Sequence, residues 1–501
     1  MSTDPQALRK GLPLYQQARD LRAAGRLDEA ARCFAQALQL LPEHPGLLTD
    51  CAALAETRAD WPLAAQLHRR RLQLAPAAVT RLQLANALYR AGQLPAARDI
   101  AQQAVEFAPD DPTALTILGS CLKTLGRRDE ALALAERALQ ARPTAAATAL
   151  RLACLLETGR TTELDVAAEA ACTQFPQDPQ IRHIAADHWL RAGDYARGFR
   201  DIDWLRPPGS SRAQHPLCRL PCADWDGQPF AGTLLVGSEQ GLGDEILASS
   251  VFPDLVAMQQ HAVIECEPRL VALFARSFPA LSFVARGENR LTVLAGGNCR
   301  KALPVDLLRL RRSNPAVWPS AWLQADPVRT AGLRRKYRSQ YGDRLLVGLS
   351  WNSRRAYQGG SKSLALGALE PLLSCEHFAC ISLQYGDIAA DLAAAGSAGE
   401  RLIRDPEIDP SGDIDGLAAQ IAALDVVVSA SNTTVHIAGA LGKPCHVLLP
   451  RHWPVLWYWG YRGATTPWYP SLRLHRNPDD NHWQPLLADL VRELQTPPHI
   501  G

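Results

Sequence analysis

Long apolar runs are missing from this chain: stretches such as Cys445–Leu449 fall far short of the about 20 residues that cross a bilayer, so no integral membrane association is expected. The opening segment MSTDPQALRK lacks the apolar stretch of a secretory signal, and a cytoplasmic location is expected. An excess of one charge is missing too. Lys+Arg 53 against Asp+Glu 51 leaves +2, which gives no field for nucleic acid or an anionic membrane surface. CxxC pairs are absent, and the twelve cysteines are scattered, as expected of reduced, mostly buried thiols. The nearest thing to a metal cluster, His215, Cys218 and Cys222, lacks a fourth ligand at suitable spacing, so no metal is expected. What is present, 47% hydrophobic and 21% charged residues over 501 positions, is ordinary globular material for several domains.

A period organises the first two hundred residues. Prolines at 42, 76, 109, 143 and 176 recur every 33 or 34 positions, and glycines at 92, 126, 159 and 193 keep step. Gly25 is in phase two units earlier, with Asp60 near the place of the missing glycine. Such a period means stacked helical hairpins, with small residues such as Ala37, Ala104 and Ala138 allowing close approach. The units around Asp60-Trp61-Pro62 and Gly159-Arg160 are degenerate. An α-solenoid is therefore expected over 1–205. Its groove suits a protein partner, and self-association into a homo-oligomer is the alternative use.

The Pro-, Gly- and Ser-rich stretch 206–223 reads as a linker, and strands then alternate with helices in the rhythm of parallel sheets. One half is expected over 224–330, with strands at Leu234–Val236, Ala262–Glu265, Ser282–Val284 and Leu291–Leu294 and helices at Glu245–Gln259 and Pro268–Ser277. The other is expected over 331–501, with strands at Leu345–Trp351, Phe378–Leu383, Arg401–Ile403, Asp425–Ser429 and Cys445–Leu449, and helices at Ile414–Ala423 and near the C-terminus.

Two stretches carry candidate chemistry. Leu234–Leu247, LLVGSEQGLGDEIL, runs from strand through a glycine-rich turn to a helix start, placing Gly241, Gly243, Asp244 and Glu245 at the lip of a crevice. It lacks the GK[ST] of a P-loop and the third glycine of a dinucleotide fingerprint. Asp244 is either a helix cap or a catalytic carboxylate; glycines at 237, 241 and 243 favour close approach by a ligand. In the second half, Asn432, Thr433 and Thr434 open a helix and offer an anion site, with His436 in its first turn. Arg354, Arg355 and Lys362 form a basic loop suited to phosphate oxygens. Four tryptophans in 451–470 either stack on a ligand or close a core.

A repeat array followed by two such halves resembles a GT-B glycosyltransferase fused to tetratricopeptide (TPR) repeats. GLGD at 241–244, Lys362 and NTTVHIAGALGKP at 432–444 resemble the heptosyltransferase-type family, and the whole chain is similar to bacterial TPR-glycosyltransferases that modify proteins, flagellin among them. The resemblance implies an inverting transferase without cofactor or metal, using a nucleotide sugar as co-substrate. Asp244 would be the base, Lys362 would hold the donor phosphate, and Asn432–His436 would form the donor loop, with Arg354 of the basic loop the further donor-binding candidate read from the residues themselves. DxD pairs at Asp201/Asp203, Asp224/Asp226 and Asp413/Asp415 read as chance. The turn Asn432-Thr433-Thr434 departs from the heptosyltransferase pattern, leaving ADP-heptose, UDP-GlcNAc and CMP-nonulosonate donors open. Two other readings follow from the same residues: an adaptor that binds a nucleotide without catalysis, and a polysaccharide transferase using the repeats for assembly.

Overall fold

A computed structural model describes residues 5–200, 215–239, 241–287, 291, 297–312, 314, 318–353, 363–450, 456–477 and 482–496. The chain divides into two compact units, Met1–Ile184 and Ala185–Gly501.

Paired helices build the repeats, from Pro5–Ala23 with Leu27–Leu40 to Pro179–Ala192 with Tyr195–Arg200. The periodic prolines follow the second helix of a pair and stop it, since proline has no N–H to continue the ladder. Fully buried Ala30, Ala37, Ala97, Ala131 and Ala138 keep the helices close. Gly119 is tighter still, because a Cβ there would sit 2.7 Å from the Leu150 side chain.

In the second unit, β1 (Ala223–Asp224), β2 (Thr233–Val236), β3 (Ala262–Cys266), β4 (Ser282–Ala285) and β5 (Cys299–Ala302) form one parallel sheet in the order β1-β5-β2-β3-β4. β6 (Leu345–Ser350), β7 (Phe378–Ser382), β8 (Val426–Ala430), β9 (Cys445–Leu449) and β10 (Leu472–Arg476) form another, in the order β10-β9-β8-β6-β7. Continuous apolar text such as VVVSA and CHVLL makes strands buried on both faces. In the first sheet β2 lies between β3 and β5, and in the second β6 lies between β7 and β8, so the order reverses beside β2 and beside β6. Ligands bind at such reversals, outside the carboxyl ends of the strands. Two Rossmann-like halves of this kind make a GT-B architecture.

The structure corrects several element readings. Of the strand expected at 291–294 only Leu291 is described, and it is helical, while 292–294 lie outside the described residues; a strand not expected runs over Cys299–Ala302, and its buried Lys301 ammonium is satisfied by the Cys218 and Leu220 carbonyls. Arg401–Ile403 contributes a single bridge, Ile381 to Ile403. The long helix expected over 245–259 is Leu242–Ala248, a 3-10 turn and Phe252–Ala257, with Pro253 at the start of the last piece. Cysteine is corrected too: Cys222 and Cys299 form a disulfide, because the parallel pairing of Ala223 with Arg300 brings their strands side by side.

Candidate functional site

Gly241 is extended and Asp244 stands three residues on, at the start of the Leu242–Ala248 helix. The Asp244 carboxylate accepts the Gly241 N–H at 3.2 Å, so it does cap this helix. Gly243 faces the second half: a Cβ there would lie 2.7 Å from Cδ2 of His436. At Gly237 the crowding comes from His215, Leu217 and Leu303. At both positions the close approach expected of a ligand is made by protein side chains.

Glu245 turns away into the first half. Its carboxylate accepts from the Ser238 hydroxyl at 2.7 Å, from the Glu267 N–H at 2.8 Å and from the Arg286 guanidinium. Burial raises its pKa above the ordinary 4.5 despite those donors. It ties together the ends of β2, β3 and β4, and it borders a separate small cavity with Val236, Ile264 and Phe274.

Across the cleft the carboxyl ends of β6 and β8 are held by amides. Asn432 donates through Nδ2 to the Ser350 hydroxyl (2.7 Å) and the Asn352 carbonyl (3.2 Å), and its Oδ1 accepts the Thr434 N–H at 3.0 Å. Its side chain therefore shapes the turn. Thr434 is buried, and Thr433 opens the helix toward the cavity. Sequence reasoning missed Gln384. Its Oε1 accepts from the Ser350 hydroxyl and from the N–H groups of Trp351 and Asn352, while Nε2 donates to the Asn352 and Tyr385 carbonyls. The available signal was a lone amide two residues after the end of the apolar strand FACIS.

His436 is buried between two phenols, with Nδ1 2.7 Å from the Tyr469 hydroxyl and Nε2 3.2 Å from that of Tyr458. Burial, and then the nearby Tyr458 and Asp244, push the Tyr469 phenol well above its ordinary pKa of 10, so it remains protonated. The aromatic segment both packs and lines. Trp459 donates to Ser431 at 2.8 Å, Trp457 and Trp468 are packed among rings, and Leu456 and Tyr458 reach the cavity wall.

These pieces enclose a cavity of about 110 Å³. Gly241, Gly243 and Asp244 come to it from the first half, and Asn432, Thr433 and His436 from the second. Ser353 and Tyr385 complete its wall. Arg354, Arg355 and Lys362 lie outside the described residues, in the stretch between Ser353 and Ser363. The DxD carboxylates are engaged elsewhere: Asp226 with Arg300, Asp413 with Arg329 and Asp415 with Arg276. Asp201 and Asp203 lie outside the described residues.

Residues 12–44 and 82–146 match tetratricopeptide repeat family models. Over 516 aligned residues the chain is 28% identical to Protein FlbA of Caulobacter vibrioides, covering 97% of this chain and 84% of that protein. Among solved structures it is similar to E. coli ADP-heptose LPS heptosyltransferase II (15% identity, TM-score 0.39, 53% of this chain and 98% of that one). It is also similar to a thermophilic TPR protein of Thermus thermophilus (22% identity, TM-score 0.30, 36% of this chain and 99% of that one). The matched residues carry tetratricopeptide repeats, two parallel-sheet α/β halves follow them in the chain, and repeats of this kind offer surfaces for protein–protein interaction.

Proposed function

We propose that this protein is an inverting, metal-independent glycosyltransferase that moves a sugar from a nucleotide-sugar donor to a protein hydroxyl presented by the TPR array. One observation carries the reading: Gly241–Asp244 and Asn432–His436, each at the carboxyl end of a strand beside a sheet reversal, line one cavity.

In this reaction the acceptor oxygen attacks the anomeric carbon, the bond from that carbon to the donor phosphate breaks, and the acceptor proton passes to Asp244. Charge builds on the phosphate of the departing nucleotide. The helix beginning at Thr433 offers its positive end to that charge, and Lys362 and Arg354 add theirs. His436, fixed by Tyr458 and Tyr469, holds the Gly243 turn against the donor side and is the proposed contact to the sugar.

Asp244→Asn tests the base. The amide oxygen can still accept the Gly241 N–H, so the cap survives while the base is lost. Transfer to a co-expressed acceptor, read by intact mass with a panel of nucleotide sugars, should fall by about 10²- to 10⁴-fold while donor binding persists. Transfer at the parent rate would remove Asp244 from the chemistry. Donor binding without turnover by the parent protein would favour a non-catalytic adaptor.

A further inference from the structure

A strand buried on both faces needs a partner for each polar side chain it carries, and β9 carries His446, only 7% exposed. Side chains alternate across a sheet. With Arg473 opposite His446 and His475 opposite Leu448, all four fall on one face. The Gln484–Gln495 helix covers that face, its Leu487 and Leu490 sharing a core with Leu448. Glu493, one turn beyond Leu490, lies on the same side of that helix. His446 Nδ1 and His475 Nε2 are 2.8 Å apart. A Glu493 carboxylate oxygen lies within 4.8 Å of both, and among the described residues no other three such side chains converge this way.

The other charged group here is Arg473, its Nε 3.8 Å from Glu493.

We propose that His446, His475 and Glu493 form a divalent transition-metal site, best suited to Zn(II), that fastens the C-terminal helix to the edge of the second sheet. Two imidazole nitrogens and one carboxylate oxygen are a zinc donor set with the fourth position open to water. Two nitrogens disfavour magnesium and calcium, and the lack of thiolate disfavours Cu(I). On binding, the ring whose proton bridges the pair shifts it to its other nitrogen, so both facing nitrogens offer lone pairs without net proton release. Glu493 exchanges Arg473 for the ion. None of the three ligands lines the cavity between the halves, so the site is structural.

The test uses the full-length protein, stripped with a chelator and titrated with Zn(II) against a chromophoric competitor, with Co(II) as a spectroscopic reporter. One site of higher affinity than the rest, visible Co(II) ligand-field bands and a raised unfolding temperature are expected. His475→Gln and Glu493→Gln, at incompletely buried positions, should each weaken binding at least about tenfold and remove the bands. They keep the test decisive if His446→Gln does not fold. Absence of uptake by the stripped parent protein would overturn the proposal. So would uptake unchanged by both variants, which would put the ion on cysteines.

Discussion

Ala59 stands at φ 56°, in the left-handed region where the other five paired-helix turns of the array place Gly25, Gly92, Gly126, Gly159 and Gly193. A Cβ is strained there, and this one is exposed, so it contributes no packing in return. Ala59→Gly should stabilise the array by about 1 kcal/mol, seen as a higher urea midpoint with unchanged m-value; an unchanged or lower midpoint would mean that the turn is not strained. The repeat period located this turn at Asp60, one residue late, because what recurs is a backbone conformation and not a residue type. The same limit applies at the cleft. Glycine at 243 was legible, but what crowds it is His436, far away in the chain, and no local pattern announces a contact of that range. Glu245 was legible as a carboxylate at a helix start, whereas its direction depends on Ser238, Glu267 and Arg286 arriving from three different strand ends.

Strongly apolar elements were readable at their true positions, as Ile414–Ala423 and Cys445–Leu449 show, because burial on both faces leaves little choice of residue. Elements held by charge were not. The basic helix Pro327–Tyr341 buries only Leu333 and Tyr337. It is fastened by Arg329 to Asp413, by Lys336 and Tyr337 to Asp405, and by Arg334 and Arg338 to Asp425. Burial alone would raise each of these aspartates, but their cationic and N–H donors outweigh it and hold all three below the ordinary 3.8. Their stabilisation is thus present above pH 3.8 and drains away as the pH falls through the lowered values. Asp425→Asn should cost roughly 2 kcal/mol at pH 7, and the gap to the parent protein should close on acidification below the ordinary carboxylate range. Urea unfolding at a series of pH values measures it. A gap that stayed constant down to acid would mean that the Asp425 charge contributes nothing.

The chain as a whole invites cutting where its text changes, after the last repeat and before the Pro-rich stretch at 206. The packing argues for a cut at 185. Leu190, Tyr195 and Phe199 belong to the same core as the first sheet and the aromatic segment. The Tyr195 ring lies 4.9 Å from that of Trp318 and 5.8 Å from that of Trp468, and Phe199 lies 6.0 Å from Trp457. His188 adds a 2.8 Å hydrogen bond to Tyr461. Tyr458, the neighbour of Trp457, holds His436, so this final hairpin supports the wall of the cavity from behind. A fragment of residues 185–501 should fold and bind nucleotide sugar with the affinity of the full chain. One of residues 206–501 should lose on the order of 5 kcal/mol or more, since removing a single buried aromatic already costs about 3–5 kcal/mol. Thermal unfolding and donor binding on the two fragments side by side decide the matter. Equal stability would mean that the hairpin only rests on this core, while failure confined to 206–501 would make it a structural part of the α/β unit despite its repeat-type sequence.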